Sequence, residues 1–219
     1  MTHASGSPAD CALDALLAGY ASGSLSPPLH VLVAGHLVLS PQSRAFVRHL
    51  EATNAAALED TPPQPIANRD AKLEAIFAYE EAQRIRLEPA RDDVLPDPLA
   101  RFLGTNLEGI RWRRLLPGVK EYEAERTARG KAVLYWVRRG GKMPSHTHVG
   151  SEYTLVLKGG FRDVTGHYLR GDIAFADQDV DHRPQADRDE DCICYVVTDA
   201  PLRLTGPVGR ILQRLLPGQ

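Results

Sequence analysis

The sequence predicts an α+β protein in two parts, an N-terminal helical bundle followed by a C-terminal β-barrel. Apolar residues of the first part recur at helical spacing, and prolines cluster between residues 61 and 100. Beyond about residue 100, short runs of β-branched and aromatic residues alternate with glycines, which is typical of short strands joined by turns. We therefore predict a helical domain over residues 1–86, a linker over 87–99 and a barrel over 100–219.

Local signals mark the helices of the first part. Four apolar residues from Leu13 to Tyr20 follow the i, i+3, i+4, i+7 pattern, and Gly23 is a suitable end for that helix. The pairs Ser26-Pro27 and Ser40-Pro41 each join an N-cap serine to a proline at the first helical position, which predicts two further helices. Asp70 is the predicted cap of a fourth helix.

Composition excludes several classes of function. The chain of 219 residues has a net charge of −2, which does not favour broad nucleic-acid binding. It contains no apolar run long enough to span a membrane and no signal-peptide pattern at its N-terminus. Its three cysteines are too few for a disulfide framework, so we expect a cytoplasmic protein.

Four side chains in the second part have the chemistry of a metal site. His146 and His148 are two residues apart, so in a strand both imidazoles point to the same side. Glu152 lies an even number of residues after His148, so it points to the same side in an extended chain. His182 follows 34 residues after His148, beyond an intervening hairpin. Three imidazoles and one carboxylate suit a divalent ion, with zinc expected first and manganese, iron or nickel as alternatives.

The spacing of these residues resembles that of cupins, which are jelly-roll-type barrels. The segment from Gly140 to Gly159 has the glycine, His-x-His, glutamate and glycine of the first cupin motif at matching intervals. The segment from Gly171 to His182 resembles the second motif in spacing but carries Asp177 and Asp179 where cupins usually have proline and glycine. These two departures alter a turn and remove no ligand.

The whole chain resembles the ChrR-type zinc anti-sigma factors. The matching stretches are 14–23, 36–44, 191–194 and 199–203, together with the two barrel motifs. The resemblance implies that the helical domain binds an extracytoplasmic-function sigma factor. It also implies that the cupin domain is needed for the response to an oxidative signal.

One feature of that family is degraded in this chain. The family's helical domain holds a structural zinc on an upstream histidine and a downstream His-x3-Cys-x2-Cys. The corresponding positions here are Cys11, His36, Ser40 and Ser43. Serine hydroxyls are poor zinc ligands beside thiolates. We therefore expect no zinc in the helical domain, with Ser40 acting as a helix cap and His36 as a partly buried polar residue.

The barrel also contains a pair of cysteines. Cys192 and Cys194 are two residues apart in an apolar run, so they share one face of a strand. They are interpreted either as two small buried apolar residues or as an oxidant-responsive pair close to the metal.

Three functions remain open at this point. The favoured hypothesis is a regulator that binds a sigma factor and senses an oxidant through its barrel. The alternatives are a cupin metalloenzyme, such as a dioxygenase or an isomerase, and a module that binds a small ligand. A helical module in front of the barrel favours regulation, because a simple cupin enzyme does not need one.

Overall fold

A computed structural model describes residues 8–78, 92–127 and 130–205 of the chain. Helices precede strands along this part of the chain. The helices are α1 (Pro8–Ala21), α2 (Pro27–Leu39), α3 (Pro41–Glu59), α4 (Arg69–Phe77) and α5 (Asp97–Leu103), followed by a 3-10 turn at Leu107–Gly109. The strands are β1 (Arg113–Leu116), β2 (Val119–Arg126), β3 (Lys131–Val137), β4 (His146–His148), β5 (Glu152–Lys158), β6 (Gly160–Arg162), β7 (His167–Leu169), β8 (Ile173–Ala176), β9 (Gln185–Ala186), β10 (Cys192–Thr198) and β11 (Leu202–Leu204). The α+β prediction is confirmed.

The predicted starts of three helices can be compared with the structure. α2 and α3 begin at Pro27 and Pro41, as the Ser-Pro pairs predict. The Ser40 side chain caps α3 by accepting a hydrogen bond from the Ser43 N–H at 3.3 Å. The prediction for α4 was wrong, because Asn68 takes the cap position in a left-handed conformation and Asp70 lies in the first turn.

Antiparallel strand pairs build the barrel. The largest sheet has the order β1-β2-β3-β10-β5-β8, and it is completed by the pair β11-β4 and the sheet β7-β6-β9. β10 lies at the centre of the large sheet, and all seven of its residues are buried. A strand buried on both faces requires covering layers on both sides.

The two faces of the large sheet pack against different layers. Cys192, Cys194 and Val196 of β10 belong to a core inside the barrel. Ile193 and Tyr195 of β10 belong to a second core, which also contains buried residues of the helices. Since neighbouring residues of a strand point to opposite faces, the helical region covers the outer face of the barrel sheet.

α2 is the helix at the centre of this outer layer. Its Leu32 and Val33 are fully buried, and it contacts α5, β10 and β5. At Gly35 an added Cβ would lie 3.1 Å from Leu155 of β5, so the glycine allows the helix to approach the sheet closely. The helical region and the barrel therefore share one hydrophobic core.

The predicted linker falls partly on this core. Residues 87–91 lie outside the described residues, whereas Leu95 and Leu99 are buried and α5 begins at Asp97. The division into 1–86, 87–99 and 100–219 stays a prediction. None of the helices in the described part of the chain has the length and apolar character needed to cross a membrane.

Candidate metal centre

Strand β4 directs the two histidines of the His-x-His motif into the barrel. His146 and His148 are buried while Thr147 between them is half-buried, which is the alternation that their spacing predicts. β4 pairs with β11 on one side. On its other side, His146 and His182 form an antiparallel bridge with two backbone hydrogen bonds of 3.0 Å. His182 thus lies beside His146 on the neighbouring segment.

Glu152 completes the group from the first position of β5. Its carboxylate is buried and accepts a hydrogen bond of 3.3 Å from the Thr154 hydroxyl. One ligand atom from each of the four residues lies within 4.8 Å of the others. The four side chains that the sequence singled out therefore form a group compatible with a metal site.

The nitrogen atoms in this group fit a shared cation. The Nε2 atom of His182 lies 3.0 Å from Nε2 of His146 and 3.0 Å from Nε2 of His148. Ligands that share one ion at about 2.0–2.1 Å lie about 3 Å apart. The Nδ1–H group of His146 donates to the Pro144 carbonyl and that of His182 donates to Asp163, so in the neutral tautomers each ring offers the lone pair of its Nε2 atom to the site. A cation placed between these lone pairs would remove their repulsion.

Burial keeps two of the imidazoles neutral, as metal ligands must be. Desolvation is the main cause that lowers the pKa of His146 to about 4, and the nearby His182 lowers it further. Desolvation also lowers the pKa of His148 to about 4, and the closeness of His146 and His182 lowers it further, because protonated imidazoles at this distance would repel each other. Burial raises the pKa of Glu152. In all three groups burial is the main cause, because it disfavours the charged form.

Asp163 is a functional residue that the sequence analysis missed. Its Oδ2 atom accepts a hydrogen bond of 2.7 Å from Nδ1–H of His182, and its side chain is only 2% exposed. The main-chain and side-chain groups of Thr165 donate to the other oxygen at 2.8 and 2.6 Å. Burial favours the neutral acid, but the hydrogen bonds from His182 and Thr165 outweigh it and lower the pKa of Asp163. The carboxylate therefore fixes the ring of His182 with Nε2 facing the site.

The metal group lies at the wall of a cavity inside the barrel. The cavity has a volume of about 180 Å³ and is lined mainly by apolar side chains, including Leu115, Leu116, Met143 and Phe161. The cysteine pair lies in the same wall, with Sγ atoms 3.4 Å apart and both residues buried. Hydrogen bonding with Cys192 is the first cause that raises the pKa of Cys194, and burial is the second. Both proposed roles of the pair stay open.

Three of the four residues at the predicted degraded zinc positions form a hydrogen-bond relay. His36 is buried, its Nδ1–H donates to the carbonyl oxygen of Gly171 at 2.7 Å, and its Nε2 accepts from the Ser43 hydroxyl at 2.8 Å. The Ser40 hydroxyl in turn donates to Ser43 at 3.1 Å. Both ring nitrogens of His36 are thus engaged by the protein, and Cys11 is exposed. The absence of zinc from the helical domain stays a prediction.

The fold and the site together define a cupin-type protein in which a helical module covers the barrel. Comparisons with known proteins agree. A family model described as a ChrR cupin-like domain matches residues 102–201. The chain is 41% identical over 202 residues to the anti-sigma-E factor ChrR of Cereibacter sphaeroides, covering 91% of this chain and 94% of the relative.

A solved structure gives the same result in three dimensions. The crystal structure of Rhodobacter sphaeroides SigE in complex with the anti-sigma factor ChrR contains a chain that is 37% identical to this one, with a TM-score of 0.71. The match covers 85% of this chain and 96% of that chain. The chain belongs to the ChrR family of anti-sigma factors. The resemblance found in the sequence is confirmed, and the family membership favours a regulator over an enzyme.

Proposed function

We propose that this protein binds an extracytoplasmic-function sigma factor through its helical region, in the cytoplasm, and thereby restrains it. One observation carries the proposal: the similarity to ChrR extends over 91% of the chain and therefore includes the helices as well as the barrel. A protein related only through its cupin domain would not share the helical region. The solved relative was crystallised with its sigma factor SigE, which makes the same class of partner the first to test.

An exposed apolar surface supports this partner. In the described part of the chain α4 has no buried residue, and its Ile76 and Phe77 are 65% and 82% exposed. Leu58 at the end of α3 and Ile66 before α4 are also exposed. Large apolar side chains that are left exposed are typical of an interaction surface, because exposing them to water is unfavourable. α3, in contrast, packs its buried residues Ser43 and Val47 toward α1 and α2.

A binding assay with each sigma factor of the same cell tests the proposal. The full-length protein is immobilised and tested against purified extracytoplasmic-function sigma factors. We expect one of them to bind, and we expect the double variant Ile76→Ser/Phe77→Ser to weaken that binding at least about tenfold. The matched control is Val164→Ser, which replaces a 76% exposed apolar residue of the barrel. Failure of every sigma factor to bind the wild-type protein would refute the proposal.

We further propose that the barrel holds one divalent ion through His146, His148, Glu152 and His182. Zinc is the first expectation, because three imidazoles and a carboxylate satisfy its preferred ligands, and manganese, iron or nickel are the alternatives. When bound, the ion would supply a Lewis-acidic centre inside a mainly apolar cavity. In this proposal the barrel senses an oxidative signal, with Cys192 and Cys194 as the thiols nearest to that cavity.

Coupling between barrel and helices has a structural basis. β5 begins with the proposed ligand Glu152, and its outer face meets α2 at Leu155 and Gly35. A change at the site can therefore alter the packing of the helix that anchors the helical region. The signal must favour one of the two states energetically in order to shift the equilibrium. The test is whether an organic peroxide releases the sigma factor from the metal-loaded complex but not from a complex with the His146→Gln/His148→Gln variant.

A further inference from the structure

A second polar group lies inside the barrel, across the sheet from the proposed metal ligands. Lys131 of β3 is paired with Thr198 of β10, and Thr198 is paired with Glu152 of β5. Residues paired directly across adjacent strands point to the same face, so these three side chains share one row on the inner face. Lys131 and Glu152 both line the cavity. Two strand spacings separate their Cα atoms, which is about 9.6 Å.

The ammonium group of Lys131 has a neutral partner. Its Nζ atom donates to the Tyr135 hydroxyl at 3.3 Å and lies 5.9 Å from the centre of that ring. Among the residues described, no carboxylate forms an ion pair with it. Glu121 of β2 lies directly opposite Tyr135 in the sheet, and its carboxylate forms an ion pair with Arg113. Burial is the main cause that lowers the pKa of Lys131, and it outweighs the attraction of Glu121, Glu123 and Glu152, none of which forms an ion pair with the ammonium.

The charges of the loaded cavity leave this lysine uncompensated. With a divalent ion bound, the carboxylates of Glu152 and Asp163 would together match its two charges, because the three imidazoles would bind it as neutral ligands. Glu121 is matched by Arg113. The ammonium of Lys131 then remains as one positive charge at an apolar cavity, where a buried anion would be stabilised by it.

The rest of the cavity is suited to a hydrocarbon group. Leu115, Leu116, Met143 and Phe161 line it. Its volume of about 180 Å³ is similar to that of an engineered apolar cavity of about 150 Å³ that binds benzene in another protein. A ligand with roughly six to eight non-hydrogen atoms would fill such a space.

We propose that the barrel binds a small monocarboxylate with an apolar body, the carboxylate between Lys131 and the metal group and the hydrocarbon against the leucines and Phe161. This inference rests on the proposed sensing role of the barrel and names the class of ligand that acts on it. Tyr135 contributes its hydroxyl as a second polar contact beside the ammonium. The carboxylate is thereby distinguished from a neutral amide of the same shape.

Isothermal titration of the zinc-loaded full-length protein with hexanoate and with hexanamide tests the proposal. We expect hexanoate to bind at least about tenfold more tightly, because only hexanoate supplies a charge for Lys131. The variant Lys131→Met keeps the length and apolar stem of the side chain and should remove the preference, while Lys131→Arg should restore part of it. The matched control is Lys120→Met, which removes an exposed lysine that lies over Trp136.

Equal binding of the two probes to the wild-type protein, or an unchanged preference in Lys131→Met, would overturn the proposal. The zinc content and the sigma-factor binding of each preparation are measured alongside. If the protein lacks zinc or does not bind a sigma factor, but still prefers hexanoate in a way that depends on Lys131, the result counts against the proposed function and not against the ligand class. The two failures are therefore distinguishable.

Discussion

The Nδ1 atom of His36 in α2 lies 2.7 Å from the carbonyl oxygen of Gly171, in the turn before β8. This hydrogen bond joins residues 135 positions apart and connects the helical region to the barrel. Gly171 has a φ of 98°, a conformation that favours glycine, and Leu39 at the end of α2 lies close to it. His36, Ser40 and Ser43, which the resemblance predicted at degraded zinc positions, thus connect α2, α3 and the barrel through hydrogen bonds.

Removal of the Ser43 hydroxyl should destabilise the fold. In Ser43→Ala the buried Nε2 atom of His36 loses its donor, and an unsatisfied buried acceptor costs about 1–3 kcal/mol. We expect a lower free energy of unfolding in urea by about that amount. The control is Gln42→Ala, an exposed residue in the same helical turn. Equal stability of the two variants would contradict the role of the relay.

The pH dependence of stability should reveal the neutral state of His36. Desolvation lowers its pKa below 6.5, against the opposing effects of Gly171 and Asp172. As the pH falls through 6.5, His36 is therefore protonated more readily in the unfolded chain than in the folded protein. The contribution of His36 to stability is thus present above pH 6.5 and is lost as the pH falls below it. In urea unfolding between pH 8 and pH 5, the stability difference between wild type and His36→Gln should be constant above about 6.5 and shrink below it. A stability difference between the two proteins that grows as the pH falls would contradict the predicted direction.

Asp163 should control metal affinity without being a ligand. It holds His182 through a hydrogen bond of 2.7 Å, and loss of such an outer contact typically weakens metal binding about 10–100-fold. We expect Asp163→Asn to show this loss in a competition assay with a chromogenic chelator. Asp187→Asn is the control, because Asp187 is similarly protected but bonds to Arg162 and His167. Unchanged metal affinity in Asp163→Asn would mean that the carboxylate stabilises only the turn that contains Thr165.

The three cysteines should differ sharply in reactivity. Cys11 is exposed, whereas Cys192 and Cys194 are buried and the pKa of Cys194 is raised, first by its hydrogen bond with Cys192. Because the thiolate is the reactive form, iodoacetamide should alkylate Cys11 in the native protein and reach the pair only after unfolding. Mass spectrometry with peptide mapping measures both. Rapid native alkylation of the pair would favour its oxidant-responsive role.

The site could be predicted largely from the sequence because its ligands are encoded locally. His146 and His148 share a strand face by spacing alone, and the cupin spacing added Glu152 and His182. Asp163 could not be found in this way. Its segment Asp163-Val164-Thr165-Gly166 reads as an ordinary turn, and the contact with His182 exists only after the sheets have assembled.

The packing of the helices against the outer face of the barrel sheet was not predicted, although the sequence contains evidence for it. The run Cys192–Val197 is apolar at every position, so both faces of that strand must be buried. Leu95 and Leu99, which lie within the predicted linker, pack into the same shared core. Long-range packing of this kind depends on the tertiary structure and not on local propensity.

The central claim is that the barrel holds one divalent ion on four convergent side chains. Elemental analysis of the protein purified without a histidine tag tests it most directly. We predict about one ion per chain in the wild-type protein and in the control His167→Gln, whose histidine is exposed, and almost none in His146→Gln/His148→Gln. A wild-type protein that stays empty when offered zinc, manganese, iron and nickel, or a double variant that retains the full complement, would contradict the claim.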